Sequence, residues 1–468
     1  MTDNSKRNIE ILSENLSIDK NFDLIRRDIT IGGRAAAMFF ADAFTKDEIY
    51  EKMMEFFFKI KPDELNDIPD MKTFSKSHLP YVEVAVSDDF KTLETAVLTG
   101  QMVLIIEGIS GALMVDTREY PVRSIEEPEK DRSIRGAKDG FVETMIFNAA
   151  MIRRRIRTPD LRMEYIQIGD NSKLDVALAY IDGKCDQKVL NKLRERLKSI
   201  KIKGLSMSSQ ALAETLIPTS FFNPFPKIRY TERPDFASAC ILEGKIAVIV
   251  DNAPNVMIFE VAFSDFSKEA DDYYFSPIVG TYVRISRIII SLLTVLLTPV
   301  MLLLLNNPHY VPEWLSFIKP DQTYSVPMFA QFLILEFIVD GMRLASLNTP
   351  NSLSNSMGVI AGLLLSEFAI ETGWFSYEAI IYISFVAIAS YSQPSFEMGY
   401  AMKFARIFLL ILTQIFGYWG LIVGVVLVVV AMGCTKTLSG RNYLYPIIPF
   451  NALDFFKLFI RTKINKNH

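Results

Sequence analysis

The sequence predicts an α/β cytoplasmic N-terminal region of two small subdomains followed by an α-helical polytopic membrane domain. Three observations carry that prediction. Charge is dense up to about Gly280, in clusters such as EEPEKDR and KLRERLK, and sparse beyond it. Within the charged part, short apolar runs alternate with amphipathic ones, the composition of layered α/β domains. Within the sparse part, Ile288 to Leu305 is a run of 18 uncharged residues, about 27 Å as a helix, which approaches the roughly 30 Å hydrocarbon core of a bilayer. The whole-chain averages, 50% hydrophobic, 22% charged and net charge −4, resemble those of a soluble protein only because they merge two unlike halves.

Residues 1–22 read as a loose polar tail without the apolar core of a signal peptide. The first subdomain, 23–120, runs through AAAMFFADAF, the helical TKDEIYEKMMEFFFKI, then YVEVAVSDDF, QMVLIIEGIS and GALMVDTREY. A charged connector, 121–136, separates it from the second subdomain, 137–280. There a helix over FVETMIFNAAMIRRRIR ends before Pro159, strands LRMEYIQIG and LDVALAYID follow, and DQKVLNKLRERLKSI is an amphipathic helix. A further helix near SSQALAETLI precedes GKIAVIVDNAPNVMIFE, which reads as strand, turn, strand. No internal repeat is evident. Cys185, Cys240 and Cys434 are too scattered for a disulfide framework or a CxxC metal site, which points to a reducing compartment.

The transmembrane domain, 281–435, is expected to hold five or six hydrophobic segments. Arg284 and Arg287 precede the first, as positive residues do on the cytoplasmic side, and Pro299 interrupts it. The next are Pro327 to Leu347, Met357 to Ile370 and Glu378 to Tyr391. The last uncharged stretch, Ile407 to Thr435, is 29 residues or about 43 Å as a straight helix. That exceeds one upright span, so it tilts, overshoots, or breaks at Gly417, Gly420 or Gly424. The tail, 436–468, is basic through Arg441, Lys457, Arg461, Lys463 and Lys466, which argues for a cytoplasmic end and an even number of crossings.

Candidate functional residues follow from the cost of charge in that setting. In FLILEFIVDGMR, Glu336, Asp340 and Arg343 fall four and three residues apart and share one helix face. Glu367 and Glu371 make a second pair with the same spacing. An ionised side chain at mid-bilayer costs about 2.5–3.5 kcal/mol on insertion scales, so four facing lipid would cost about 10 kcal/mol, as much as a domain's stability. They must face protein, water or headgroups. One reading makes them a column of carboxylates along a cation path, with Arg343 as counter-charge or gate element; the other leaves Glu371 at the interface and lets Arg343 snorkel. Arg153, Arg154, Arg155 and Arg157 close a helix whose C-terminal dipole favours cations, and they are candidates for contact with acidic lipid or an acidic subunit surface. Nucleic acid is set aside, because the chain is acidic and no aromatic-rich basic groove accompanies the run. His78, His309 and His468 are scattered, and no P-loop, GxSxG or HExxH motif occurs, so no enzyme, metal or cofactor is expected.

Residues 116–182, DTREYPVRSIEEPEKDRSIRGAKDGFVETMIFNAAMIRRRIRTPDLRMEYIQIGDNSKLDVALAYID, resemble the GerA family of bacterial spore germination proteins, the A-subunit type. REYPVRSIEEPEKDR, RGAKDGFVET and LRMEYIQIG resemble the branch encoded with the stage V sporulation proteins, the AF type, more than the nutrient-receptor subunits. EGKIAVIVDNAP at 243–254, DDYY at 271–274 and IASYSQPSFEMGYAMKFAR at 388–406 extend the resemblance from about residue 25 to the end. Two departures stand out: Asn252 follows Asp251 where the family often has Gly, and the usual Arg-Glu-Ala run is missing around Asp340. The resemblance implies a spore inner-membrane protein whose soluble region faces the core. It also implies a homo-oligomeric ring, a pentamer, that passes monovalent cations in germination beside other germination membrane subunits. The alternative is a membrane scaffold that recruits receptor or dipicolinic acid release machinery, its acids only locking helices together.

Overall fold

The computed structural model describes the chain apart from residues 2–3, 46, 80, 119–135, 170–172, 201–207, 218–222, 270, 319–323, 349–370, 372 and 461–468. It divides into two compact units, residues 1–218 with 227–261, and 219–226 with 262–468.

The first unit opens on helix α1, Ser5–Leu16, not on a loose tail. The Asn4 side chain accepts from the Arg7 amide at 3.2 Å and caps the helix. Ile9, Leu12 and Leu16 recur at helical spacing and enter the core, which gives the segment its reason to fold. Strands β1 (Leu24–Ile31), β2 (Arg34–Ala41), β3 (Val84–Ser87), β4 (Met102–Ile106) and β5 (Ala112–Val115) form an antiparallel sheet in the order β1-β2-β4-β5-β3. Its side chains separate with period two. Ala37, Phe39, Val103 and Ile105 pack with α1 and α4 (Phe90–Leu98); Ala36, Met38, Leu104 and Ile106 pack with α2 (Asp47–Lys59) and α3 (Met71–His78).

The second subdomain repeats that plan, contrary to the expectation of no repeat. Helix α5 (Met145–Arg155) leads into β6 (Leu161–Ile168) and β7 (Leu174–Ile181). Then come α6 (Gln187–Ser199), α7 (Ser208–Leu216), β8 (Arg229–Thr231), α8 (Pro234–Leu242), β9 (Ile246–Val250) and β10 (Val256–Phe259). The sheet order, β6-β7-β9-β10-β8, matches the first strand for strand. Shared turns support the equivalence. After α4, Gly100 has φ +95° and Gln101 N donates to Ala96 O; after α8, Gly244 has φ +92° and Lys245 N donates to Cys240 O. A Cβ would approach Phe44 Cβ to 2.8 Å at the first glycine and Lys184 O to 2.9 Å at the second, so both positions need glycine twice over. Between β9 and β10 Asn252 takes φ +61° where Gly108 takes +76° between β4 and β5, as asparagine's tolerance of the left-handed region predicts.

The continuous part of the second unit begins at Ala262, short of the expected boundary at 280: Phe263 N donates to Tyr443 O, and Asp272 pairs with Arg284 and Arg287. Its helices are α9 (Asp271–Tyr274), α10 (Pro277–Asn306), α11 (Met328–Asn348), α12 (Tyr377–Tyr391), α13 (Phe396–Cys434) and α14 (Ala452–Phe459). Among the described residues α10 and α13 are long and apolar enough to cross a membrane; the expected segment Met357 to Ile370 lies outside them.

Of the three outcomes open for the last apolar stretch, the chain breaks at Gly417. This residue has φ +57° and ψ −132°, a conformation open essentially to glycine alone. The contacts on either side show a reversal. A Cβ on Gly420 would collide with Leu412 O, and one on Gly424 with the Leu409 and Leu412 side chains. In a straight helix residues 409 and 424 would stand about 22 Å apart. The two arms, Phe396–Phe416 and Tyr418–Cys434, therefore fold against each other, and glycine at 420 and 424 lets the backbones approach.

Candidate functional site

Charge inside the helical unit gathers at one place. Helix α11 is held near its start by Gln331, whose Oε1 accepts from Ser376 N at 2.8 Å and whose Nε2 donates to Val326 O at 2.8 Å. Phe332 and Leu335 pack with Leu302 of α10, Ile383 of α12 and Leu410 of α13. This packing sets the helix rotation and carries Glu336 inward. Arg406 grips Glu336 through two parallel bonds, Nε to Oε1 at 2.6 Å and Nη2 to Oε2 at 2.9 Å. Its third nitrogen, Nη1, donates to the backbone oxygen of Thr294 at 2.7 Å. Lys403 Nζ lies 3.3 Å from Glu336 Oε2 and also pairs with Asp340.

Two acids and two bases thus neutralise one another. Glu336 and Arg406 are almost wholly enclosed, while the Asp340 side chain keeps 33% of its surface. A bidentate guanidinium–carboxylate pair is the strongest form such a contact takes, and enclosure makes loss of either partner costly. Arg343 lies one turn beyond Asp340 on the same helix. Its guanidinium carbon lies 5.1, 4.2 and 5.2 Å from the ring centroids of Tyr391, Phe396 and Tyr400, within cation–π range. A small cleft of about 30 Å³ opens beside it, lined among others by Asp340, Arg343, Ser390, Tyr400 and Lys403.

The structure brings together Glu336, Asp340 and Arg343, as their spacing predicts, but gives Glu336 a permanent partner within the chain. Arg406 and Lys403 supply its counter-charge. Both lie in the quoted SQPSFEMGYAMKFAR, just before the uncharged run, and a search for compensating cations three residues apart at that border would have found them. Glu371 is exposed, and Glu367 lies outside the described residues. The arginine run divides. Arg153 is fully buried, its Nε 2.8 Å and Nη2 3.0 Å from the Asp23 carboxylate, with Nη1 donating to Leu161 O at 3.1 Å. It ties the two subdomains together and is no surface contact. Arg155 bonds Asp139, half-buried; Arg154 and Arg157 remain exposed. Among the described residues no group of three or more His, Cys, Asp or Glu could hold a metal.

A family described as Bacillus/Clostridium GerA spore germination protein matches residues 10–468. This chain belongs to the GerA family. Stage V sporulation protein AF of Bacillus subtilis (strain 168) is 33% identical over 467 residues, which cover 98% of this chain and 92% of that protein. Spore germination protein KA of the same organism is 28% identical, over 93% of this chain and 80% of that one. Among solved structures, the N-terminal domain of the A subunit of the Bacillus megaterium spore germinant receptor GerK3 aligns with TM-score 0.40 and 30% identity, over 54% of this chain and 92% of that chain. GerA membership makes this a protein of spore germination.

Proposed function

We propose that this GerA-family chain is a non-enzymatic, multi-pass subunit of the spore inner membrane that assembles as a homo-oligomer and passes monovalent cations during germination. Its soluble region faces the core, and other germination membrane subunits are its partners. One observation carries the reading: the charged side chains of Asp340, Arg343 and Lys403 line a cleft among helices whose outward side chains, such as Ile334, Phe337 and Ile388, are exposed and apolar. Asp340 and Arg343 are the residues of that cleft that a path would use. Glu336 serves as a lock, since Arg406 and Lys403 already neutralise it. The lock also supports the alternative, a scaffold whose acids hold helices together. Potassium release from germinating spores carrying Asp340→Asn separates the two. Slower release at normal protein level and native-gel size supports the channel; unchanged release removes Asp340 from conduction and favours the scaffold.

A further inference from the structure

The three cations that line the cleft, Arg343, Lys403 and Arg406, are held in different ways. Arg406 is fixed at both ends, by two parallel bonds to Glu336 on α11 and by a third to Thr294 O on α10. Arg343 rests its guanidinium against the rings of Tyr391, Phe396 and Tyr400. Lys403 holds by a single nitrogen. Its Nζ lies 3.2 Å from Glu336 O and 3.3 Å from Glu336 Oε2, and it pairs with Asp340. Three oxygens of α11, two of them carboxylate, thus surround one compact positive charge on a flexible four-carbon stem. Carbonyls and carboxylates are the groups that channels offer to a cation shedding its water. The structure therefore already shows a monovalent cation at Asp340, one tethered to α13.

We infer that Lys403 is the gate residue of this cleft: its ammonium fills the cation position at Asp340 in this conformation, and a free monovalent cation takes that position when the path conducts. Space and charge both lead there. A cleft of about 30 Å³ holds about two water-sized probes, so a hydrated cation does not enter while the ammonium stays. Exchange of the ammonium for a free monovalent cation leaves the charge of the quartet unchanged. Glu336 does not depend on Lys403, because Arg406 alone matches its charge; Asp340, with 33% of its side chain open, does. Withdrawal of Arg406 would instead strand Glu336 and break the bond to Thr294 O. The inference rests on the reading of the cleft as a cation path and adds the group that closes it.

The test begins with the purified full chain in detergent. Lys403→Met removes the tethered charge and keeps much of the length of its stem. The variant should melt about 2–4 °C higher in about 300 mM potassium than in about 1 mM, with an organic cation too large for the cleft holding the ionic strength constant; a site half-filled at about 50 mM gives a shift of that size. Wild type should not respond, since its own ammonium fills the site. Lys403→Met with Asp340→Asn should not respond either, since Glu336 and Arg406 then balance each other. A Lys403→Met protein indifferent to potassium, a wild type that responds as strongly, or a double variant that still responds overturns the inference. Lys403→Arg keeps the charge, which preserves a folded protein for the test should Lys403→Met not fold, and its planar fork can hold the Asp340 carboxylate by two bonds. It should slow potassium release from germinating spores severalfold at normal protein level. Slow release from Asp340→Asn with normal release from Lys403→Arg overturns the gate and leaves the path; normal release from both overturns gate and path together.

Discussion

Replacing Arg406 by Met tests the quartet where it is most enclosed. The substitution removes both bonds to Glu336 and the one to Thr294 O, and leaves the carboxylate with Lys403, 3.3 Å away and already shared with Asp340. Breaking a buried pair by removing one partner costs about 3–5 kcal/mol. Because Lys403 still compensates part of the charge, the lower end applies, about 3 kcal/mol. That is a large fraction of the roughly 5–15 kcal/mol that holds a domain folded. Replacing both partners, Glu336→Met with Arg406→Met, removes the stranded charge and should recover much of the loss. The coupling between the two changes is then of opposite sign to their separate costs. Thermal unfolding in detergent, with monodispersity checked by gel filtration, measures this for wild type, both single variants and the double. An Arg406→Met protein as stable as wild type, or a double variant no better than the single, would refute the reasoning that the pair is a dry, mutually dependent lock.

Three further outcomes follow from the same physics. Gly417→Ala forces a side chain into a positive-φ turn, at about 1–3 kcal/mol or more, and should lower the yield of folded protein in membranes, measured by fluorescence-detected gel filtration. Arg153→Met strands Asp23 between the subdomains; amide hydrogen exchange should rise at Met163, whose N–H donates to Asn21 beside the lost pair, by far more than at β4. Burial alone would raise the Glu164 pKa, but hydrogen bonds from Arg194 and Tyr180 outweigh it and hold the carboxyl below the usual range. The stabilisation is therefore complete above the ordinary carboxylate value of about 4.3 and is lost as pH falls through the lower folded value. Glu164→Gln should flatten that acid limb in urea titrations.

The strands were legible because β4 and β9 are unbroken apolar runs bounded by turn residues, and α6 because its leucines keep helical spacing. Helix α1 was hidden by its polar composition, although Ile9, Leu12 and Leu16 carry the period. The repeat escaped because equivalent residues differ in identity and the offset changes along the chain: 137 residues from Leu24 to Leu161 and 140 from Arg34 to Leu174, but 144 from Met102 to Ile246; the matching strand order and the paired turns reveal it. Glu336, Asp340 and Arg343 were found by cost, since charge in an apolar run needs a partner. Arg406 was not, because its partner lies 70 residues away and nothing local joins them. Arg153 was misread for a similar reason: a cation at a helix end has a sufficient local explanation in the dipole, which conceals a distant carboxylate.

The fold-back at Gly417 also sets a rule of parity. Ser291 bonds Gln393, Thr294 O accepts from Arg406, and Asn306 bonds Gln414, so α10 and the first arm of α13 run in the same direction. If α10 crosses, the chain must recross an odd number of times before α13 begins, whatever path it takes. The two arms then add an outward and a return passage. The total is even, and α14 emerges on the side from which α10 set out, so that an epitope placed after Phe459 and one placed before Pro277 would report the same compartment.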